Sequence, residues 1–279
     1  MECSTEVILE LLVAEVSKIP EVQSVGISGG KLPLPRAGDG DIDIFIYCDM
    51  IPELDKRHEV MAQLGGLLVK PEINALHGGH WGEGDFAMIN GVETWLMYFT
   101  LDETMDELDS ILKGELPDKL DNYYYPVGRC AMFTRMGILY DKNGYLKALK
   151  EKLNVYPDKL AEILIEYHLG ELEDTEDLER AAGRKDILFY HFALDIALDH
   201  FLQALFALNR VFFPSRKRSL EFMEEFEIRP VNCGERLLEV ISLGSSMESI
   251  GQSYKAWSIL VNELRKIITL SFLSGNCLQ

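Results

Sequence analysis

Two aspartates, Asp41 and Asp43, alternate with isoleucines in the run Asp41-Ile42-Asp43-Ile44-Phe45-Ile46, where packing alone would call for apolar residues. Alternate residues of a strand point to one face, so the two carboxylates project together with their Cα atoms about 6.6 Å apart. Ile42, Ile44 and Ile46 face the other way. Paired carboxylates at that spacing suit Mg²⁺, a hard cation that takes oxygen ligands and bridges to nucleotide phosphates. They also suit two metals that stabilise the attacking and leaving oxygens of phosphoryl transfer. For an isolated Asp-x-Asp the competing explanation is a hairpin with two solvent-facing acids.

A second feature precedes the acids. Ser28, Gly29 and Gly30 follow an apolar run, and a turn without side chains lets backbone N–H groups approach phosphate oxygens closely, with Ser28 adding a hydroxyl. Other phosphate and metal motifs fail on residue identity. A P-loop requires Gly where Val25 stands and Ser or Thr where Leu32 stands, and a dinucleotide fingerprint from Gly26 meets Ser28 where it needs Gly. A calcium loop from Asp39 has Ile44 in place of the turn glycine and Met50 in place of the final Glu.

The elements that hold these residues are legible from periodicity. Ser4 and Thr5 offer caps for a helix over 4–18 that Pro20 stops. Val22–Ser28 and Ile42–Tyr47 read as strands, joined by a loop with two prolines and two glycines. Glu53–Leu68 returns to helical spacing, and Asn74–Gly84 reads as glycine-rich loop. Asp85–Ile89 and Val92–Phe99 form a hairpin about Asn90-Gly91, a dipeptide suited to a type I′ turn. A helix over 102–113, a short helix and a fifth strand at Gly137–Tyr140 complete this half.

Beyond Asn143 the pattern changes to helices at Tyr145–Leu153, Pro157–Leu169, Arg184–Phe213, Ser219–Phe226, Cys233–Leu243 and Met247–Leu273. The sequence thus predicts an α+β protein: a mixed four- to five-stranded sheet flanked by helices over 1–143, then an all-α bundle over 144–279. Ile187–Phe213 is apolar around most of its circumference, as a central bundle helix would be.

In the bundle, Asp195 and Asp199 lie one turn apart in an otherwise apolar helix, where charge is costly unless paired or facing a cavity. They are candidate contacts to a cationic acceptor, with pairing to Arg184 or His191 as the alternative. Arg216-Lys217-Arg218 is a basic run after Pro214; Lys217 either neutralises triphosphate charge or is a solvated helix end. Trp81 and the aromatic run Tyr123, Tyr124 and Tyr125 either stack on a ligand ring or simply pack. His77 and His80 lack a third ligand and make a weak metal site.

Composition narrows the field. The net charge of −19, from 46 acids against 27 bases, repels a phosphate backbone, so nucleic acid is not expected as a partner. The five cysteines, Cys3, Cys48, Cys130, Cys233 and Cys277, include no Cys-x-x-Cys pair, which points to neither a disulfide framework nor structural zinc. The acidic first twenty residues and the lack of an uninterrupted apolar run of about 20 residues argue against export and membrane insertion. A cytoplasmic location is the expectation, and a homodimer is compatible with it.

The order strand, Gly29-Gly30, a ten-residue connection and Asp41-Ile42-Asp43-Ile44 resembles the signature of the DNA polymerase β-like nucleotidyltransferase superfamily. The resemblance implies that Asp41 and Asp43 hold one or two Mg²⁺ ions on the triphosphate of ATP or another NTP. It also implies a third acid on a neighbouring strand that completes the metal site or acts as base. Glu93 is the choice for that acid, with Asp85 in reserve; if the family acid aligns instead with Trp95, the third carboxylate is missing. The helical second half, with Ile138–Gly144 and Ala207–Arg218, looks like that of the antibiotic nucleotidyltransferases, which adenylylate a hydroxyl of an aminoglycoside or lincosamide. The expected activity is therefore transfer of an NMP to a small-molecule hydroxyl. The alternative is a non-catalytic nucleotide-binding or interaction module on the same fold.

Overall fold

The computed structural model describes residues 3–29, 33–117, 125–173 and 176–273. Its contacts divide the chain into two compact units, Met1–Ser110 with Arg129–Val155, and Ile111–Gly128 with Tyr156–Gln279. Where the sequence suggests one boundary near Asn143, the chain passes between units at 110/111, 128/129 and 155/156. The late segment returns to the first unit because it supplies an edge strand of the sheet.

The first unit contains α1 (Thr5–Val16), β1 (Val22–Ile27), β2 (Asp41–Cys48), α2 (Leu54–Leu64), β3 (Val69–Leu76), β4 (Glu83–Ile89), β5 (Val92–Thr100), β6 (Gly137–Asp141) and α5 (Tyr145–Leu153). Two further helices, α3 (Leu101–Leu112) and α4 (Pro126–Arg135), carry the chain across the unit boundaries. The six strands lie in the order β3-β4-β5-β2-β1-β6. Every neighbouring pair is antiparallel except β2 and β5, which run parallel. This is the mixed sheet of an α+β protein, with β3 added to the strands legible in the sequence.

Local chemistry explains the elements. The Ser4 side chain accepts a hydrogen bond from the Val7 backbone N–H and caps α1. Asn90 and Gly91 both have positive φ, 50° and 80°, as the type I′ turn between β4 and β5 requires. Strand β3 carries Pro71 and two left-handed residues, Lys70 and Asn74, and its register to β4 shifts twice. An edge strand with those features lacks the alternation that marks a strand in sequence, which is why it reads as loop.

The two faces of the sheet differ. One packs Ile42, Ile44, Ile46 and Leu96 against Ile8, Leu12 and Val16 of α1 and Val60, Met61 and Leu64 of α2. The other carries Phe45, Tyr47 and Phe99, and at the Cys48 end it is closed by Phe133 of α4 and Tyr145 of α5 around the Tyr47 ring.

The second unit is helical: α6 (Asp158–Glu171), α7 (Glu176–Arg184), α8 (Ile187–Leu208), α9 (Ser219–Glu225), α10 (Cys233–Gly244) and α11 (Ile250–Leu273). Asp186 caps α8 through the Phe189 N–H, so this helix starts later than periodicity alone suggests. By length and composition α8 could cross a bilayer, but 61% of its most apolar window is buried within the protein. Its second half, from Asp199 to Leu208, is buried on all sides, whereas Leu188 and Phe192 in the first half are exposed. The central-helix expectation therefore holds for the second half.

His168 of α6 is fully buried, with its Nδ1 2.9 Å from the Nδ1 of His200 on α8. Burial first, and the neighbouring His200 second, push its pKa down to about 3. An unfolded histidine titrates near 6.5, so below that pH the unfolded chain binds a proton that the folded one refuses. The stabilisation is fully present above pH 6.5 and is lost as pH falls toward 3, at about 1.4 kcal/mol per pH unit within that window. Melting temperatures of wild type and His168→Gln recorded from pH 7.5 to 4 should converge as pH falls; parallel curves would contradict this assignment.

Candidate active site

The parallel register of β2 and β5 sets the site. Asp41 stands directly opposite Glu93, and Asp43 opposite Trp95, all on the face that carries Phe45 and Phe99. Neighbouring strands lie about 4.8 Å apart, so the three acids occupy one patch at the N-terminal ends of two parallel strands. Strand β1 is antiparallel to β2, which brings its C-terminal end to the same place. There the Ser28 N–H donates to the Asp43 carbonyl at 3.0 Å. Gly29 follows with φ of 68°, a left-handed conformation that a glycine adopts without strain.

Burial grades along this face. Phe45 and Tyr47 are buried, Asp43 is half-buried, and Asp41, Glu93, Ser28 and Gly29 are exposed. Aromatic packing fixes one end of the strands, and the polar end stays open to a ligand. The structure thus gathers Asp41, Asp43, Glu93, Ser28 and Gly29, while Gly30 lies outside the described residues.

Asp41 and Asp43 offer two carboxylate oxygen donors on one strand face, the kind of donor Mg²⁺ takes. Among the described residues, no three or more His, Cys, Asp or Glu side chains are grouped so as to hold a metal ion by themselves. Mg²⁺ does not require a full protein cage. It commonly takes one or two carboxylates and completes its octahedron with water and substrate phosphate. Asp41 and Asp43 would supply those carboxylates, leaving Glu93 beside them.

Asp85 is not a reserve acid for this site. It pairs in register with Leu96 and so points to the opposite face, where it is fully buried. Its carboxylate is held by Arg57 of α2, with Arg57 Nε to Asp85 Oδ2 at 3.0 Å and a second bond from Nη2, and it also accepts from the Asn74 N–H at 2.8 Å. Desolvation opposes the Arg57 charge, yet the Asp85 hydrogen bond and charge outweigh it and raise the Arg57 pKa.

In the helical unit, Asp195 and Asp199 share a partner the sequence did not assign. Arg216 bonds Asp199 through Nε at 2.5 Å and Nη2 at 2.6 Å, and reaches the Asp195 carboxylate through Nη1. The Tyr125 hydroxyl donates to Asp199 at 2.6 Å. These bonds, led by Asp199, raise the Arg216 pKa, and burial together with Asp199 raises that of Tyr125. The pairing considered with Arg184 or His191 goes instead to Arg216, whose single positive charge is shared by the two carboxylates. The signal was present in the basic run at 216–218. Lys217 is exposed in this unit, and Tyr124 lies outside the described residues. A cavity of about 520 Å³ adjoins Arg216 and Asp195, walled by Leu194, Leu198, Met223 and Ile241. Among the described residues, His77 and His80 belong to no group of three or more potential metal ligands, and the His80 carbonyl accepts from Arg129.

The fold and the site together define an α+β protein with a carboxylate patch at the open end of its central parallel strand pair. Comparison with known proteins gives a family match over part of the chain and a structural likeness. Residues 125–218 match the family described as "Domain of unknown function (DUF4037)", a span that includes Tyr125, Asp199 and Arg216 and excludes Asp41, Asp43 and Glu93. No curated protein matches. Among solved structures, the chain is similar to a nucleotidyltransferase-like protein from Exiguobacterium sibiricum. The identity is 12% and the TM-score 0.49, covering 98% of this chain and 77% of that one. The chemistry of the site rests on its own geometry.

Proposed function

We propose that this protein is a nucleotidyltransferase that moves an NMP, AMP from ATP in the first instance, onto a hydroxyl of a small-molecule acceptor and releases pyrophosphate. The observation that carries the reading is the β2–β5 register, which sets Glu93 directly opposite Asp41 at an open strand end shared with the Ser28-Gly29 turn. Mg²⁺ held by Asp41 and Asp43 would neutralise the triphosphate. With the Ser28 N–H engaged by the Asp43 carbonyl, the Gly29 N–H and the Ser28 hydroxyl would donate to phosphate oxygens. Glu93 accepts the acceptor's hydroxyl proton as its oxygen bonds to the α-phosphorus, and the bond from that phosphorus to the bridging oxygen breaks with its electrons leaving on pyrophosphate.

The test is pyrophosphate release and transfer of α-label, with Mg²⁺, across NTPs crossed with a panel of hydroxyl compounds that includes aminoglycosides and lincosamides. Label appearing on a low-mass acceptor with equimolar pyrophosphate is the expected result. Binding of Mg-NTP without release across the panel would instead favour a non-catalytic nucleotide-binding module. The feature that favours this second reading is Trp95, an indole at the position opposite Asp43 where a more compact acid cluster would place a carboxylate.

A further inference from the structure

Reading across the sheet from β1 gives a fixed order: the Ser28-Gly29 turn, then Asp41 and Asp43 on β2, then Glu93 and Trp95 on β5, then Phe86 on β4. Trp95 is in register with Asp43 on one side and with Phe86 on the other. The two rings meet with centroids 4.9 Å apart and planes at 55°. Both stay half-buried, whereas Phe45 and Tyr47 farther along the same face are buried. Helices α4 and α5 close over the Tyr47 end through Phe133 and Tyr145, so packing accounts for the aromatic residues there. A contiguous aromatic pair left partly open, with Trp95 one strand spacing, about 4.8 Å, from Asp43 and Phe86 one strand beyond, is what a ligand-stacking surface looks like.

The chemistry orients it. In-line displacement puts the attacking hydroxyl on the side of the α-phosphate opposite the departing pyrophosphate. With the phosphates over the β1 turn, the acceptor arrives over β5, where Glu93 takes its proton; Met88 lies beside Glu93 on β4, and Trp95 and Phe86 follow two residues farther along the two strands. We propose that Trp95 and Phe86 form the stacking platform for the acceptor, and that the acceptor is a hydroxyl-bearing ring compound, an aryl alcohol or a glycoside, selected over acyclic alcohols by contact of its flat face with the indole. This assignment rests on the nucleotidyltransferase reading.

The experiment is calorimetric and fluorimetric titration of the full chain, with Mg²⁺ and the non-transferable analogue α,β-methylene-ATP present, using p-nitrophenyl glucoside and glycerol as probes. The glucoside should bind saturably and quench tryptophan fluorescence, and glycerol should do neither. Trp95→Leu should weaken the glucoside about 5-fold or more and leave the nucleotide analogue within about twofold. Trp95→Phe should keep the affinity and lose the quenching, a combination that a merely structural role does not produce. Equal binding of glucoside and glycerol, or unchanged glucoside affinity in Trp95→Leu, overturns the platform. Failure of the nucleotide analogue itself to bind with Mg²⁺ overturns the nucleotidyltransferase reading, and the platform falls with it.

Discussion

On the proposed nucleotidyl-transfer reading, Asp43→Asn should lower Mg²⁺-dependent transfer by about 10²- to 10³-fold, and the Asp41→Asn, Asp43→Asn double variant should lower it further. The magnitude follows from removing one preorganised charge at a centre where negative charge must be neutralised in the transition state. Glu93→Gln should cost about 10²- to 10⁴-fold if Glu93 is the proposed general base, with the loss relieved as pH rises and the acceptor ionises unaided. The same substitutions should not unfold the protein. Asp41 is exposed and faces Glu93, a like charge, across the strand pair, so Asp41→Asn relieves repulsion and should hold or raise the melting temperature. Initial rates of pyrophosphate release, read beside thermal melts of the same samples, separate the two effects. A variant that loses activity only in proportion to lost fold would contradict the assignment.

Arg57→Met should destabilise the protein by about 3–5 kcal/mol, the usual cost of breaking a buried ion pair from one side. Arg57 and Asp85 are both fully buried between α2 and the sheet, and the guanidinium also lies 4.5 Å from the centroid of the Tyr98 ring. With Arg57 gone, the Asp85 carboxylate keeps the Asn74 N–H but no buried cation. The Arg57→Met, Asp85→Leu double variant removes both charges and should recover most of the loss, because apolar side chains of similar volume are tolerated where a lone charge is not. Urea unfolding of the two single variants and the double variant gives the coupling directly. Since Asp85 points away from the site, Asp85→Asn should retain its transfer rate per folded molecule; a loss equal to that of Glu93→Gln would return Asp85 to the active site.

The pairing of Asp41 and Asp43 on one face is visible in sequence because a strand has period 2 and the isoleucines mark the buried side. The position of Glu93 opposite Asp41 is not visible. A parallel register is set by the crossover that joins the strands, which here contains α2 and the β3–β4 segment. The face of Asp85, by contrast, was encoded. A two-residue Asn90-Gly91 turn pairs Ile89 with Val92, which fixes Asp85 against Leu96 and sends it inward. Arg57 carried a related signal, since it falls on the same helical stripe as Met61 and Leu64. A cation on one buried stripe and an acid on another buried face are natural partners. The Arg216 network escaped because its partners are 17 and 21 residues apart in sequence and meet only through the fold. Strand β3 escaped because Pro71 and left-handed residues at 70 and 74 erase its alternation.

Crystals grown with Mn²⁺, in place of Mg²⁺, and α,β-methylene-ATP test the site itself. Anomalous scattering should place manganese on the Asp41 and Asp43 carboxylates, with triphosphate oxygens completing its shell and the phosphates lying over Ser28 and Gly29. Manganese and nucleotide bound elsewhere, or a nucleotide held without any metal at Asp41 and Asp43, would contradict the account.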